Sequence, residues 1–221
     1  FILYFQVRLL GQETPGVFYQ CGGTLIAPQV VLTAAHCVVY GRYSTKVFSV
    51  TAEIKATGES IEASMLIPHE KHLPDPEHIK EATPYDIALI YLKAPSTQVT
   101  IFPKLNEQDF EKVGTVVQVI GYGTTEEKKL SDYLKETQVT ISDIDDRVHT
   151  FFTVSYNTGT CEGDSGGPAF VCSGQDYILV GVTSGGYFNN RTGLCEYDVP
   201  ELFTSVKGFG DWIKGNLAIL N

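Results

Sequence analysis

A short glycine-rich segment, residues 161–168 with the sequence CEGDSGGP, constrains this chain more than any other segment does. Glycine adopts backbone angles that other residues reach only at a cost in free energy, so the main chain can turn tightly around Ser165. Such a turn can expose the serine hydroxyl and direct several backbone N–H groups at one point, as an acyl-transfer enzyme requires for an oxyanion. The alternative interpretation is an ordinary glycine-rich turn with a solvated serine.

A histidine and an aspartate supply the groups that a serine nucleophile needs. The hydroxyl needs a base, and the base needs a carboxylate to orient it. His36 lies in the sequence TAAHC, directly after an apolar run, and Asp86 begins the sequence DIAL. Each has a simpler interpretation alone, as a core histidine or as a polar residue at the start of a strand. In the order His, Asp, Ser, they fit a base–acid–nucleophile triad.

With these motifs the chain resembles the chymotrypsin/trypsin-type serine endopeptidases. TAAHC, DIAL and GDSGGP are all intact, and the resemblance extends over essentially the whole chain. Further matching segments are FQVRL (5–9), CGGTLI (21–26), GYG (121–123) and DWI (211–213). The resemblance implies that Ser165 attacks a peptide carbonyl, that His36 accepts its proton and that Asp86 orients the imidazole. It also implies an oxyanion hole formed by the backbone N–H groups of Gly163 and Ser165.

The pattern of short apolar runs separated by turn signals independently indicates an all-β barrel or sandwich. Residues 11–16 are predicted to form a loop, and residues 207–220 a terminal helix with its apolar residues near one face. The resemblance sharpens this fold to two six-stranded antiparallel β-barrels with a C-terminal α-helix. It assigns His36 and Asp86 to a barrel within residues 1–100, and Ser165 to a barrel within residues 101–221.

The resemblance also implies a substrate pocket. Gly159, Thr160, Gly186 and Glu201 match positions of this pocket. Ser184, Gly185 and Gly186 match the segment that pairs with the substrate backbone as an added strand. Gly159 stands where trypsin-like members carry an aspartate, and Gly185 where the family usually has an aromatic residue. Glu201 stands where glycine is usual, so its carboxylate partners a basic side chain, fills part of the pocket, or lies on the surface through a one-residue misalignment. We expect an apolar or aromatic preference before the cut bond, with secondary acceptance of Lys or Arg.

Five cysteines allow at most two intramolecular disulfides. By resemblance the pairs are Cys21–Cys37 and Cys161–Cys195. This leaves Cys172, for which we expect a buried free thiol, with an intermolecular bridge as the alternative. Disulfides indicate an oxidising compartment, so we expect a secreted protein. The sequence Asn190-Arg191-Thr192 is a glycosylation sequon.

The start of the chain departs from the family pattern. In the family, activation frees an N-terminal ammonium that pairs with the aspartate before the serine, here Asp164. This sequence begins with FILY, and Phe5 already matches a strand beyond that segment. Three interpretations follow: an upstream segment is absent from the sequence, the chain is an unactivated precursor, or it is a catalytically silent homologue that acts as a binding module.

The composition limits the classes of binding partner that we expect. The net charge of −10 argues against nucleic acid and against anionic membranes, and no apolar run is long enough to cross a bilayer. We expect a monomer that binds polypeptide substrates and protein protease inhibitors.

The segment 68–84 carries three histidines, His69, His72 and His78. Their irregular spacing and the intervening prolines argue against a metal site, so we expect a solvated surface loop, with no metal and no cofactor.

Overall fold

The computed structural model describes residues 3–40, 45–72, 84–189 and 191–218. The strands of its first half are β1 (Gln6–Thr14), β2 (Val17–Ala27), β3 (Val30–Thr33), β4 (Val39–Tyr40), β5 (Thr45–Lys46), β6 (Ser49–Ile54), β7 (Glu59–Pro68) and β8 (Ala88–Leu92). Those of its second half are β9 (Lys104–Leu105), β10 (Val116–Gly121), β11 (Lys135–Asp145), β12 (Thr150–Val154), β13 (Pro168–Ser173), β14 (Asp176–Gly185), β15 (Tyr187–Asn189), β16 (Leu194–Glu196) and β17 (Glu201–Ser205). A 3₁₀ turn spans Ala35–Cys37, and the helix α1 spans Gly210–Ala218.

The first half closes into a six-stranded antiparallel barrel with the strand order β1-β2-β3-β8-β7-β6. In β6, residues Val50, Ala52 and Ile54 are buried while the residues between them are more exposed, which is the alternation of a strand with one face in the core. All five residues of β8 are buried. Asp86 therefore stands just before a strand that is covered on both faces.

The second half forms another antiparallel barrel, in the order β13-β10-β11-β12-β17-β14, which closes through pairing of β13 with β14. The short strand β9 adds to β14 in a parallel arrangement. Strand β13 begins with Pro168, which has no N–H for a ladder hydrogen bond and is tolerated at the first position of a strand. The predicted fold is confirmed, and the domain boundary at residue 100 stays a prediction.

The loop predicted at residues 11–16 is wrong, because β1 continues to Thr14. Gly11 pairs with Tyr19 in the β1–β2 ladder, and a Cβ at Gly11 would lie 1.9 Å from the Tyr19 ring. Glycine at this position makes room for a cross-strand aromatic ring rather than marking a turn.

The C-terminal helix is shorter than the sequence predicts. It begins at Gly210 rather than at residue 207, because residues 206–209 form a turn in which the Gly208 N–H is bound by the Ser205 hydroxyl. Ile213 is the buried residue of α1, and Phe209 before the helix is buried with it.

Two of the three histidines in the segment 68–84 are not solvated, which corrects the predicted surface loop. His69 and His72 are buried. The His69 ring stacks on Tyr85 and lies 5.1 Å from the ring of Trp212, so an aromatic cluster takes it out of water. His78 lies outside the described residues.

Both predicted disulfides are present, with Cα–Cα distances of 6.2 Å for Cys21–Cys37 and 5.6 Å for Cys161–Cys195. Cys172 is a free thiol, but the prediction that it is buried is wrong. It pairs with Tyr177 near the end of the β13–β14 hairpin, two residues before the turn at Gly174, and its side chain is exposed.

The sequon at Asn190 lies outside the described residues. In the described ranges no helix has the length and apolar character to cross a membrane.

Candidate active site

His36 lies on the 3₁₀ turn that follows β3. The Cys37 N–H donates to the Ala34 carbonyl, and the disulfide from Cys37 to Cys21 ties this turn to β2. Ala35 and Cys37 are buried, whereas 36% of the His36 side chain is exposed. The local sequence therefore anchors the turn in the first barrel and leaves the imidazole accessible.

Asp86 binds His36 through both carboxylate oxygens. Its Oδ1 accepts the His36 backbone N–H at 2.9 Å, and its Oδ2 lies 2.8 Å from His36 Nδ1. The Ser184 hydroxyl from the second barrel donates to the same Oδ2 at 2.6 Å. These contacts fix the Nδ1–H tautomer of the imidazole, which leaves Nε2 as the nitrogen that can accept a proton.

The charges of this pair are opposite and mutually stabilising. Burial raises the pKa of Asp86, but the His36 charge, its hydrogen bond, His72 and the Ser184 hydroxyl outweigh burial and lower that pKa to about 2. Burial lowers the pKa of His36, but the Asp86 charge and hydrogen bond raise it above its ordinary 6.5 overall. The aspartate is therefore ionised wherever the histidine titrates.

The turn around Ser165 is held between the two barrels. The Ser165 carbonyl accepts the Gly22 N–H of β2 at 2.7 Å, and the Gly166 N–H donates to the Thr183 carbonyl of β14, also at 2.7 Å. Gly166 has a φ of +82°, and a Cβ there would lie 2.1 Å from Thr33 Oγ1. Only glycine permits both this backbone angle and this close approach of the serine turn to the strand that leads to His36.

The same contacts bring the three predicted triad residues to one interface. Ser165 is bound to Gly22, whose neighbour Cys21 is bridged to Cys37 beside His36. Asp86 receives a second contact from the C-terminal barrel, because the Thr204 hydroxyl donates to its backbone carbonyl at 2.9 Å. Hydrogen bonds and the Cys21–Cys37 disulfide thus connect the segments that carry all three residues across the junction of the barrels.

Asp164 lies beside a cavity of about 460 Å³ and is anchored by backbone groups. Its Oδ1 accepts the Gly123 N–H at 2.7 Å, and its Oδ2 accepts the Cys161 N–H at 3.0 Å. A Cβ at Gly121 or Gly123 would lie 1.9 or 2.2 Å from an Asp164 oxygen, so the GYG segment makes room for this carboxylate. Burial raises the pKa of Asp164 to about 6 although these two hydrogen bonds lower it.

A second cavity, of about 220 Å³, opens next to Ser165. Of the six predicted substrate-binding residues, Thr160, Gly185 and Gly186 line this cavity, and Gly159 lines the cavity beside Asp164. Ser184 and Glu201 line neither of these two cavities. Nothing lies within 4 Å of a Cβ at Gly185, which leaves that wall open. The sequence analysis missed Phe188 of β15, a lining residue that only the β15–β16 hairpin brings to the site.

Glu201 is buried against the backbone of Thr160, which rules out the surface position that a one-residue misalignment would give. Its Oε1 accepts the Thr160 N–H at 2.6 Å and lies 3.3 Å from the Thr160 hydroxyl. Burial raises the pKa of Glu201 to about 7, even though both contacts with Thr160 lower it.

His72 is a neighbour of Asp86 that the sequence analysis missed. Its Nδ1 lies 4.0 Å from Asp86 Oδ1, and both side chains are buried. The backbone explains this position, since the His72 N–H donates to the His69 carbonyl and the His69 N–H donates to the Ile87 carbonyl beside Asp86. Desolvation lowers the pKa of His72, while the Asp86 charge raises it.

The ligand atoms of Cys21, His36 and Cys37 lie within 4.8 Å of one another. The two cysteine sulfurs are bonded to each other, so neither offers the thiolate that a metal would require. This cluster serves the disulfide that anchors the histidine turn.

The sequence matches known proteins over most of its length. The model of the trypsin family matches residues 4–213. The chain is 33% identical over 221 residues to brachyurin of Leptuca pugilator, covering 91% of this chain and 89% of that protein. It is 30% identical over 216 residues to mast cell protease 8 of Mus musculus, covering 91% and 80%. It is 29% identical over 227 residues to trypsin 5G1 of Aedes aegypti, covering 95% and 79%.

Proposed function

Because this chain belongs to the trypsin family of serine proteases, we propose that it cleaves peptide bonds with His36, Asp86 and Ser165 as its catalytic triad. The observation that carries the proposal is the double contact of Asp86 with His36, made by a carboxylate that also binds Ser184 across the barrel junction.

The triad residues act in sequence. Ser165 Oγ attacks the carbonyl carbon of the scissile bond while His36 Nε2 takes the hydroxyl proton. The imidazolium then gives this proton to the leaving amine. Water next attacks the acyl carbon while His36 takes a proton from it, and His36 returns this proton to Ser165 Oγ as the acyl group leaves. Asp86 stays ionised and stabilises the imidazolium, which the lowered pKa of Asp86 and the raised pKa of His36 both support.

The backbone N–H groups of Gly163 and Ser165 form the oxyanion hole in this proposal. Gly163 has a φ of +92°, a backbone angle that supports a tight turn directly before Asp164 and Ser165. The two hydrogen bonds that anchor Asp164 support the same turn from behind. Loss of one donor from an oxyanion hole lowers turnover by about 100- to 1,000-fold.

The cavity next to Ser165 binds the side chain before the cut bond. Its open wall at Gly185 and Gly186 suits an apolar or aromatic side chain. Glu201 adds acceptance of Lys and Arg, because its carboxyl lies behind Thr160, one of the lining residues.

The protein acts outside the cytosol, as its two disulfides suggest. Its partners are polypeptide substrates and protein protease inhibitors. The acidic net charge of −10 supports a monomer without nucleic-acid or membrane partners.

An active-site-directed organophosphonate tests this function. We expect stoichiometric labelling of Ser165, located by peptide mapping, together with loss of peptide hydrolysis. The Ser165→Ala variant should neither react nor hydrolyse peptides. Absence of labelling in folded wild-type protein would favour the alternative, a silent homologue or an unactivated precursor that acts as a binding module.

A further inference from the structure

A buried carboxyl oxygen without a partner lies next to the substrate cavity. Glu201, the first residue of β17, is 2% exposed, and its Oε1 accepts the Thr160 N–H. Its second oxygen, Oε2, is buried and has no hydrogen-bond partner among the described residues. A buried carboxylate without a partner is strongly unfavourable, so this group is stable only when it holds a proton or binds a cation.

The positions of two glycines place the Glu201 side chain at the pocket. A Cβ at Gly159 would lie 2.2 Å from Glu201 Oε1, so the carboxyl occupies the space that a side chain at residue 159 would fill. A Cβ at Gly186 would lie 4.0 Å from Glu201 Cγ, and Gly186 lines the cavity of about 220 Å³. A side chain that enters this cavity therefore approaches Glu201 past Gly186.

The cavity wall contains a second unsatisfied oxygen. Thr183 of β14 lines the cavity, and its buried hydroxyl has no hydrogen-bond partner among the described residues. A hydroxyl can accept a hydrogen bond from an ammonium or a guanidinium. Two buried acceptors without a partner among the described residues are therefore close to the cavity: Thr183 Oγ1 belongs to a lining residue, and Glu201 Oε2 lies behind the lining residues Thr160 and Gly186.

Glu201 has no basic partner in the described part of the protein. The charge of Asp164 raises the pKa of Glu201, and Tyr197, whose ring is beside Gly159, is the other titratable group that interacts with it. On the neighbouring strands, Thr153 of β12 stands opposite Glu201 and Gly185 of β14 opposite the next residue, and neither carries a charge. No ion pair between described residues includes Glu201.

We propose that Glu201 selects basic side chains by exchanging a proton for the substrate's cation. The ammonium of Lys or the guanidinium of Arg binds Glu201 Oε2, the carboxyl becomes a carboxylate, and its proton passes to water. The substrate cation keeps all of its protons, so one proton is released for each basic side chain bound. An apolar or aromatic side chain leaves the proton on Glu201 and releases none.

This proposal rests on the proposed function, because it assigns the cavity to the residue before the cut bond. It makes the choice between substrates depend on pH. Burial raises the pKa of Glu201 to about 7, so a basic substrate has to displace a proton at pH 6 but meets a carboxylate at pH 8. Selectivity for Lys over Phe should therefore increase with pH.

Two peptide substrates that differ only in Lys or Phe before the cut bond provide the test. Titration of His36 affects both alike, so the ratio of their kcat/KM values isolates the pocket. We expect the Lys-to-Phe ratio to rise about tenfold between pH 6 and pH 8 and to level off above that range. In Glu201→Gln the ratio should be low and independent of pH. Glu111→Gln should behave as wild type, because Glu111 also has a pKa raised by burial, but its carboxylate binds Ser205, which does not line the cavity, whereas Glu201 binds the lining residue Thr160.

A wild-type ratio that is flat with pH, or a ratio that still rises in Glu201→Gln, overturns the proposal. Calorimetry of benzamidine binding to Ser165→Ala gives a second readout that needs no catalysis. Measured in buffers of different ionisation enthalpy, binding should release roughly one proton at pH 6 and almost none at pH 8.5. Binding without proton release at pH 6, or no binding, contradicts the exchange. Failure of phosphonate labelling would instead count against the triad.

Discussion

Asp86 and Glu201 are equally buried carboxyl groups in opposite electrostatic surroundings. They are 1% and 2% exposed, yet the pKa of Asp86 is lowered to about 2 and that of Glu201 is raised to about 7. Asp86 accepts three hydrogen bonds and lies beside His36 and His72, whereas Glu201 Oε2 accepts none and its charged neighbour is Asp164. Burial therefore does not set the charge of a carboxyl group; donors and cations do.

The source of the donors also differs. Asp86 receives hydrogen bonds from His36 in the first barrel and from Ser184 in the second, so its charge depends on the junction between barrels. Glu201 and Thr160 both belong to the C-terminal half. We infer that the Asp86 carboxylate has all its hydrogen-bond partners before substrate binds. The Glu201 carboxylate gains its missing partner from the substrate.

Removing the charge of Asp86 should have the largest effect. In Asp86→Asn the amide can no longer stabilise the imidazolium and favours the wrong tautomer of His36. We expect kcat/KM for the Phe substrate to fall by about 10,000-fold, the size known for loss of this charge in serine proteases. Asp176→Asn, which removes an exposed partner of Lys104, is the matched control and should change little. A loss below tenfold at Asp86 would remove it from the triad.

Removing the charge of Glu201 should stabilise the protein at neutral and alkaline pH. A folded-state pKa raised from 4.5 to about 7 means that the folded protein binds this proton more tightly than the unfolded chain does. The contribution of the protonated Glu201 carboxyl to folding stability is therefore fully present below pH 4.5 and is lost as the pH rises through 7. We compare the free energy of unfolding of Glu201→Gln with that of wild type at each pH. The variant should gain about 3 kcal/mol on wild type between pH 4 and pH 8.

Urea denaturation of both proteins at the two pH values measures this difference. Glu111→Gln again serves as the control, because Glu111 is a half-buried acid whose carboxylate has a partner, the Ser205 hydroxyl. If Glu201→Gln differs from wild type by the same free energy at both pH values, folding does not raise the pKa of Glu201, and the contrast with Asp86 is contradicted.

Activity should fall when His36 takes a proton. Asp86 raises the pKa of His36 above 6.5, so the acid limb of kcat/KM for the Phe substrate should have its midpoint above that value. Below the midpoint the rate should decrease by about tenfold per pH unit, because protonated imidazole cannot accept the serine proton. Stopped assays from pH 5 to 8 measure this limb, and a constant rate over that range would exclude His36 as the base.

Ser184→Ala should produce the smallest change. It removes one of three hydrogen bonds to the Asp86 carboxylate and leaves both contacts with His36. We expect kcat to fall by about tenfold, since hydrogen bonds to charged groups contribute roughly 1.5–3 kcal/mol. Ser184→Thr, which keeps the hydroxyl, should recover most of the activity. A loss as large as that of Asp86→Asn would show that Ser184 has another role.

The sequence alone predicts those parts of the site that local motifs define. TAAHC, DIAL and GDSGGP each combine one reactive side chain with the small or apolar residues that hold its turn, and the structure joins His36 and Asp86 as expected. The pairing of both disulfides and the two barrels follow from the family resemblance that these motifs carry, and the structure contains both.

What the sequence could not predict depends on neighbours far along the chain. Gly11 looks like a loop residue until Tyr19 is found across the ladder, and His72 looks solvated until the His69 N–H is found bound to Ile87. The unpaired oxygen of Glu201 likewise depends on Thr160 and Gly186, which only the fold brings next to this side chain.

The most direct measurement is a crystal structure of the wild-type protein after reaction with the organophosphonate. We expect a covalent bond from phosphorus to Ser165 Oγ, with the phosphonyl oxygen about 2.7–3.1 Å from the backbone nitrogens of both Gly163 and Ser165. His36 should retain its contacts with Asp86 and direct Nε2 at the adduct. An adduct on another residue, or a phosphonyl oxygen directed into solvent, would contradict the triad and its oxyanion hole.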